Sequence, residues 1–164
     1  MEIIIIAAMA NNRVIGKDNV LPWSIKKDMQ HFKELTKGWP CIMGRKTWES
    51  LPKKPLPGRL NVVISGSREQ VAGSSEQDVE VYKSLNDAIK QCADYEKIFI
   101  IGGESIYKQA MDIANKIELT LIHQDYDGDT YFPEIDDNYW KVSNKIDFDT
   151  FSFITYNKIN INSC

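Results

Sequence analysis

Residues 2–10 read Glu2-Ile3-Ile4-Ile5-Ile6-Ala7-Ala8-Met9-Ala10, an apolar run without polar alternation. A strand that is buried on both faces is apolar throughout, as in parallel sheets, whereas a half-exposed strand alternates. The run therefore predicts a buried strand over residues 3–8. Its end resembles the Ala-x-Ala of a signal peptide, but its acidic start and short apolar length argue against one.

Similar short apolar runs recur along the chain and alternate with helical patterns. Ser84 is predicted to cap a helix over residues 85–93, and a second helix carries the apolar stripe Ile106, Ala110 and Met111. The order predicts an α/β fold: a single domain over residues 1–164 with a mostly parallel central β-sheet, an antiparallel C-terminal edge hairpin and about four helices packed on both faces. The other predicted strands are residues 41–43, 60–65, 79–82, 98–101 and 117–122, followed by a hairpin of 140–143 and 151–161.

The composition is that of one globular domain. The 164 residues are 43% hydrophobic and 26% charged, and the net charge of −3 argues against nucleic acid or an anionic membrane as the main partner. No apolar stretch is long enough to cross a membrane. With two histidines and three dispersed cysteines, no zinc or other metal site is indicated. Cys41 and Cys92 are predicted to be reduced core residues of a cytoplasmic protein.

A carboxylate stands among apolar residues in the helix predicted after Trp23. Ser24 is a candidate N-cap, and Ile25, Met29, Phe32 and Leu35 mark the apolar stripe. Asp28 lies three residues after Ile25 and four before Phe32, which places it on that stripe. Burying a carboxylate is costly unless it is paired, hydrated or used. Spacing alone leaves two interpretations open: a contact with water or a cation at the edge of the stripe, or a functional group.

The connection over residues 9–24 is long and rich in turn-forming residues, among them Gly16, Asp18 and Pro22. Loops of this length in a compact domain are usually lids or binding loops. A surface excursion without function is the alternative.

Two glycine turns follow predicted strands and are suited to bind anions. Gly44-Arg45-Lys46-Thr47 follows the strand at 41–43, and Gly102-Gly103-Glu104-Ser105-Ile106-Tyr107 follows the strand at 98–101. Such turns expose backbone N–H groups at a helix start. Neither has the Walker A or GxGxxG spacing. Two of them in one small domain suggest a ligand with several phosphates, such as a dinucleotide.

Several further sequence segments accompany the two glycine turns along the chain. They are Asn12-Arg13-Val14-Ile15-Gly16 with Leu21-Pro22-Trp23, Ile42-Met43-Gly44-Arg45-Lys46-Thr47-Trp48-Glu49-Ser50, Pro55-Leu56-Pro57-Gly58-Arg59, Ile101-Gly102-Gly103 with Tyr107, and Gly128-Asp129-Thr130 with Phe132-Pro133. Together with Asp28 and Phe32 they resemble the dihydrofolate reductases nearly end to end. The resemblance implies reduction of dihydrofolate with NADPH, which supplies tetrahydrofolate for one-carbon metabolism. It also implies a monomer and inhibition by diaminopyrimidine antifolates.

The resemblance implies a role for each matching position on the substrate side. Asp28 would bind the pterin and promote N5 protonation with support from Thr120, and Leu21 and Trp23 would cover the reacting rings. Arg59 would pair with the glutamate tail. The remaining substrate positions are Ile6, Ala8, Met29, Phe32, Leu51, Lys54, Ile101 and Tyr107.

The cofactor side implied by the resemblance comprises both glycine turns and the lid. Gly66 stands where many bacterial relatives have a serine, and Arg68 is a candidate substitute for that contact. The cofactor positions are Ala8, Val14, Ile15, Gly16, Asn19, Val20, Gly44, Arg45, Lys46, Thr47, Ser65, Gly66, Lys83, Gly102, Gly103, Glu104, Ser105, Ile106 and Tyr107.

Two other functions stay open at this point. One is a related pyridine-nucleotide reductase, such as a pyrimidine reductase of riboflavin synthesis, which would keep the glycine turns without needing Asp28 and Arg59 together. The other is a catalytically silent pterin- or nucleotide-binding module, against which the presence of Asp28, Trp23 and Arg59 argues.

Overall fold

An eight-stranded sheet forms the centre of the computed structural model, which describes residues 1–18, 20–73 and 77–160. The strands are β1 (Glu2–Ala10), β2 (Val14–Gly16), β3 (Cys41–Gly44), β4 (Asn61–Ile64), β5 (Val79–Tyr82), β6 (Lys97–Ile100), β7 (Lys116–Ile122), β8 (Thr130–Tyr131), β9 (Trp140–Asp147) and β10 (Phe151–Lys158). The helices are α1 (Lys26–Thr36), α2 (Arg45–Ser50), α3 (Leu85–Gln91) and α4 (Glu104–Ala110), with a 3-10 turn at Arg68–Gln70.

The order of strands across the sheet is β5-β4-β3-β6-β1-β7-β10-β9. Neighbours from β5 to β7 are parallel, whereas β10 pairs antiparallel with both β7 and β9. The predicted fold class is therefore confirmed, including the antiparallel hairpin at the edge. The unbroken apolar sequence of β1 is explained by its central place between β6 and β7.

Helices cover both faces of the sheet. Alternate residues of β1 divide the core, because Ile5 belongs to one apolar cluster and Ile4 and Ile6 to the other. Helices α3 and α4 pack on the Ile5 face through residues such as Ala88 and Ala110. On the Ile4 and Ile6 face lie Trp48 of α2 and Phe32 and Leu35 of α1. The buried free thiols of Cys41 and Cys92 lie in this core, as predicted.

The largest departure from the sequence-based prediction is a second, two-stranded sheet. Strand β2 lies inside the connection predicted to be a loop, and it pairs with β8. Gly16 and Gly128 permit the close approach, since a Cβ on Gly16 would come within 2.8 Å of Thr130 Oγ1 and one on Gly128 would overlap Val14. Two strands this short carry no periodic signal in the sequence.

The helix ends differ from the prediction by small amounts. Ser84 Oγ accepts a hydrogen bond from Asp87 N at 3.1 Å, which confirms the predicted cap of α3. The predicted N-cap of α1, Ser24, is wrong, because Ile25 occupies the N-cap position and no side chain caps this helix. Ser24 lies one residue too early to reach the free N–H groups of the first turn.

The apolar side of α1 also differs from the prediction. Met29 is 58% exposed, so its assignment to a buried stripe is wrong; the side of α1 that carries Phe32 and Leu35 packs on the sheet instead.

No helix within the described ranges is long and apolar enough to span a membrane. Cys164 and the predicted strand end at residue 161 lie outside the described residues.

Candidate active site

The most informative group of the cleft is the carboxylate of Asp28, which projects from α1 toward β7. Thr120 Oγ1 donates a hydrogen bond of 2.7 Å to Asp28 Oδ1. Burial raises the pKa of Asp28 above its ordinary value, while the Thr120 hydroxyl and His31 act in the opposite direction. Desolvation therefore prevails over hydrogen bonding, as expected for a carboxyl in an apolar cleft. Among the residues that the structure describes, the hydrogen-bond partner of Asp28 is thus a hydroxyl group rather than a cation.

Apolar side chains from two strands line the cleft beside Asp28. Ala8 pairs in register with Thr120, and Ile6 lies two residues earlier on the same face of β1. Phe32, Leu51 and Ile101 are partly buried against the cluster that contains Ile6. These side chains belong to one apolar cluster on the face of the sheet that carries Thr120, whereas Met29 is exposed. These are the surroundings that a flat aromatic ligand with one polar edge would need.

Trp23 carries the one buried side-chain N or O atom, among the residues described, that has no hydrogen-bond partner. This atom is Nε1 of the indole. The ring packs against Tyr126 with centroids 5.3 Å apart. A buried donor without an acceptor is costly, and a water molecule or a ligand at this position would satisfy it. The neighbouring lid residues Val20 and Leu21 are 65% and 55% exposed.

The two glycine turns meet at the carboxyl ends of β3 and β6. Gly44 N donates a 2.9 Å hydrogen bond to Gly102 O. Gly102 has a φ of +129°, and a Cβ there would come within 3.3 Å of Thr47 Oγ1 and 3.4 Å of Tyr107 Oη. Only glycine adopts this conformation readily, and its missing side chain leaves the backbone accessible to a ligand. The geometry fits the close approach of a phosphate-bearing group.

Tyr107 connects this turn to β1. Its hydroxyl donates to Ile6 O at 2.9 Å, and its ring packs on Phe132 at 4.9 Å. Burial and the nearby charge of Asp28 raise the pKa of Tyr107, so the hydroxyl stays protonated and remains a donor. Ile106 is buried behind the turn, and Ser105 Oγ accepts a hydrogen bond from Gln109 at 3.3 Å.

Several positively charged and polar residues lie between the first glycine turn and the β5 edge of the sheet. Arg45 and Glu49 form an exposed ion pair at 3.5 Å, and Lys46 is exposed beside it. Ser65 and Lys83 follow the neighbouring strands β4 and β5, four and five strands from β7, so they lie about 19 Å or more from β7 at the usual strand spacing. Ser65 Oγ bonds to Ser67 O and Gln70 Oε1, both at 3.2 Å, while Gly66 and Lys83 are exposed.

Arg59 lies near the far end of α1. The side chain is 6% exposed; its Nε donates to Pro57 O at 2.9 Å and its Nη1 to Thr36 Oγ1 at 3.0 Å. These bonds use two of its five donors. Asp28 and Thr36 are eight residues apart on α1, or about 12 Å along its axis. Lys54, also predicted to bind substrate, is exposed, and its Nζ donates to Glu49 O at 3.1 Å.

Residues 17 and 18, in the long connection between β1 and α1, are held by contacts that the sequence did not indicate. Lys17 Nζ lies 2.6 Å from Asp127 Oδ2, and Asp18 N donates to Asp129 Oδ2 at 2.9 Å. Both carboxylates belong to the Asp-rich segment before β8, where no partner for the lid could be inferred from spacing. Val14 is buried, Ile15 and Gly16 complete β2, and Asn19 lies outside the described residues.

Glu104 links the second glycine turn to the same small sheet. Its Oε1 accepts a hydrogen bond from Tyr131 N at 3.2 Å. The turn, the lid and β8 are thus connected through backbone and side-chain contacts around one cleft.

The fold and the site define a class of protein: an α/β fold with a desolvated carboxylate held at β7 and two glycine turns that meet at the carboxyl ends of β3 and β6. The sequence profile described as "Dihydrofolate reductase" matches residues 2–158. The chain belongs to the dihydrofolate reductase family, so the resemblance drawn from its motifs is confirmed, and with it the oxidoreductase class.

Named relatives agree over most of their length. The dihydrofolate reductase of Neisseria gonorrhoeae is 46% identical over 145 residues, which cover 88% of this chain and 87% of the relative. That of Bacillus subtilis is 42% identical over 137 residues, with 84% and 79% covered. The dihydrofolate reductase type 3 of Salmonella typhimurium is 45% identical over 134 residues, with 82% and 80% covered.

Proposed function

We propose that this chain catalyses the NADPH-dependent reduction of 7,8-dihydrofolate to 5,6,7,8-tetrahydrofolate. The observation that carries the proposal is the Asp28 carboxylate, desolvated in an apolar cleft and held by Thr120. Membership of the family supports the reaction and the use of NADPH. The proposal treats residues 1–164 as one domain that acts as a cytoplasmic monomer in tetrahydrofolate supply for one-carbon metabolism.

The residues on the substrate side would bind the pterin ring and exclude water from it. Asp28 accepts hydrogen bonds from the pterin, and its charge favours protonation at N5. Thr120 keeps the carboxylate oriented, and the Trp23 indole donates to a water or ligand atom nearby. Ile6, Ala8, Phe32, Leu51 and Ile101 exclude water from the rings, with Leu21 and Met29 at the rim.

The position of Arg59 supports a tail-binding role. Its two internal bonds fix the guanidinium, and three donors are left for a carboxylate. The approximately 12 Å between Asp28 and Thr36 suits a substrate that extends along α1. Lys54 would approach the same tail.

NADPH would supply the hydride from nicotinamide C4 to pterin C6. Residues 44–47 and 102–107 would hold its phosphates, and residues 65, 66 and 83 its adenosine end. Ala8 and the lid residues Val14, Ile15, Gly16, Asn19 and Val20 would enclose its nicotinamide. The chain's share of the chemistry is alignment and electrostatics.

Spectroscopic loss of NADPH on adding dihydrofolate tests the proposal. Turnover that needs both reactants and falls in Asp28→Asn supports it. Turnover with the pyrimidine substrate of riboflavin synthesis, but not with dihydrofolate, would indicate the related reductase. Binding of both ligands without any loss of NADPH would indicate a silent module.

Competitive inhibition by a diaminopyrimidine is expected from the same site. Such a ligand presents ring N–H and amino donors to Asp28 and carries no tail for Arg59. Its inhibition should therefore weaken in Asp28→Asn and persist in Arg59→Lys.

A further inference from the structure

His31 lies on α1 three residues after Asp28, and its ring is stacked on Phe153 of β10. The ring centroids are 3.8 Å apart and the planes are inclined by only 11°. The imidazole is half-buried between the helix and the sheet. Two rings in van der Waals contact and nearly parallel restrict each other's rotation.

Phe153 also neighbours the residue that holds Asp28. Phe153 and Thr120 are directly opposite each other on β10 and β7, so their side chains lie on the same face. Thr120 donates to Asp28, and Asp28 and His31 are one helical turn apart. These four residues therefore lie together where α1 meets β7 and β10.

A cation–π contact with the same strand hairpin lies one turn earlier on α1. Lys27 Nζ is 4.0 Å from the centroid of the Phe148 ring, a cation–π distance. Phe148 packs on Phe151 and Phe153 with centroids 4.7 and 5.3 Å apart. Lys27 and His31 thus attach α1 to one aromatic cluster on both sides of Asp28.

The charged groups around His31 come from α1 and β7. Asp28 and Glu34 face it from its own helix, and Glu118 faces it from β7. Thr155 Oγ1 donates to Glu118 Oε2 at 2.8 Å and so keeps that carboxylate on this face. Burial lowers the pKa of His31, although the three carboxylates act to raise it. The imidazole is therefore neutral near pH 7 and gains its charge only at a lower pH than a free histidine does.

We propose that His31 is a positioning residue for the reaction: its stack on Phe153 sets the turn of α1 that carries Asp28, and its protonation couples a second ionisation to that of Asp28. The proposal rests on the role given to Asp28 above. A cationic His31 stabilises the Asp28 carboxylate through space, so in acid Asp28 stays ionised to a lower pH than it would beside a neutral ring.

The two functions of His31 are separated by two substitutions. His31→Phe keeps a ring for the stack and removes the charge, whereas His31→Ala removes both. His123→Gln is the matched control, because His123 is the other histidine of the chain and its Nε2 lies 2.8 Å from the buried Ser152 hydroxyl, which a glutamine amide can also reach. With two histidines, NMR signals of the rings are assigned by these variants alone.

The titration of the Asp28 carboxyl is followed by carbon NMR on the unliganded protein. In the unmodified protein and in His123→Gln, the Asp28 signal should respond to pH in two steps, one of which coincides with the His31 ring. His31→Phe should lose that step, and its carboxyl midpoint should move to higher pH. An Asp28 titration that is identical in all three proteins would overturn the coupling.

Steady-state kinetics test the stack at about pH 8, where His31 is neutral. His31→Phe should keep kcat/KM within about twofold, while His31→Ala should lose roughly tenfold, less than the 10²-fold cost of a full ångström of misplacement. Equal activity of the two variants would overturn the positioning role. The NMR titration needs no turnover, so failure of the proposed reaction and failure of this inference give different results.

Discussion

Two carboxylates that accept hydrogen bonds of nearly equal length have pKa values shifted in opposite directions in this molecule. Asp28 accepts from Thr120 at 2.7 Å, and Asp127 accepts from Lys17 at 2.6 Å. Burial raises the pKa of Asp28, whereas the hydrogen bond and charge of Lys17 lower the pKa of Asp127, which is exposed to solvent. The distance to the donor therefore does not decide the behaviour of an acid; its solvation and the charge of its partner do.

The two carboxylates have opposite consequences for folding. Because the pKa of folded Asp28 lies above its unfolded value, its ionised form costs stability, and the cost disappears as the pH falls through the folded pKa. Because the pKa of Asp127 is lowered, its contribution is present above the unfolded pKa and is lost as the pH falls through the folded one. A stability cost retained in a cleft is typical of a group kept for chemistry.

The largest effect is expected for Asp28→Asn, which keeps the shape and removes the charge. The value of kcat/KM near neutral pH should fall by roughly 10²–10⁴-fold, since the pterin loses the group that favours its protonation. The melting temperature should be unchanged or higher, because a desolvated charge has gone. Steady-state assays beside a thermal melt measure both. Activity lost together with folded structure would assign Asp28 a structural role.

Arg59→Lys comes next, because the fork of donors that grips a carboxylate is replaced by a single ammonium group. Loss of a charge-assisted contact costs about 1.5–3 kcal/mol, or roughly 10- to 150-fold in affinity for a folate with its glutamate tail. Calorimetric titration with a tailed folate and with a small diaminopyrimidine measures the difference. Equal weakening of both ligands would show that Arg59 acts only through Thr36 and Pro57.

Thr120→Val removes the hydroxyl donor to Asp28 at nearly constant volume. The pKa of Asp28 should rise further, and kcat/KM at neutral pH should fall roughly tenfold, the scale of one hydrogen bond to a charged group. Ser143→Ala is the control, because it removes a hydroxyl donor of the same sheet, on the edge strand β9, two strands away from β7. The pH profiles of the two variants should differ, and similar profiles would contradict a specific role for Thr120.

The smallest effect is expected at the exposed pair. Lys17→Met and Asp127→Asn should each change kcat/KM by no more than about threefold, and the difference should shrink as salt is added. Assays at low and high ionic strength measure this. A large, salt-independent loss in either variant would show that the lid pair is shielded from solvent during turnover.

The fold was predictable wherever burial leaves a periodic or unbroken apolar signal. Strand β1 and its parallel neighbours are apolar because both of their faces are covered. The predicted first and last residues of each of these strands lie within two residues of the observed ones. Strands β2 and β8 were missed, because their pairing depends on the missing side chains of Gly16 and Gly128 rather than on a pattern.

The site was predictable in part for a similar reason. Helical spacing placed Asp28 on the cleft side of α1, but its partner Thr120 is 92 residues away, and only the family resemblance suggested it. The contact of His31 with Phe153 and the bonds of the lid to Asp127 and Asp129 join segments more than 100 residues apart. Local spacing carries no information on such pairs, which only the tertiary fold brings together.

The most direct test of the central claim is the pH dependence of kcat/KM for dihydrofolate in the unmodified protein and in Asp28→Asn. If the ionised carboxylate promotes protonation of the pterin, the ratio of variant to unmodified activity should be smallest near neutral pH and rise steadily in acid, where solution protonates the substrate. A ratio near one at neutral pH, or a low ratio that does not change with pH, would contradict the account.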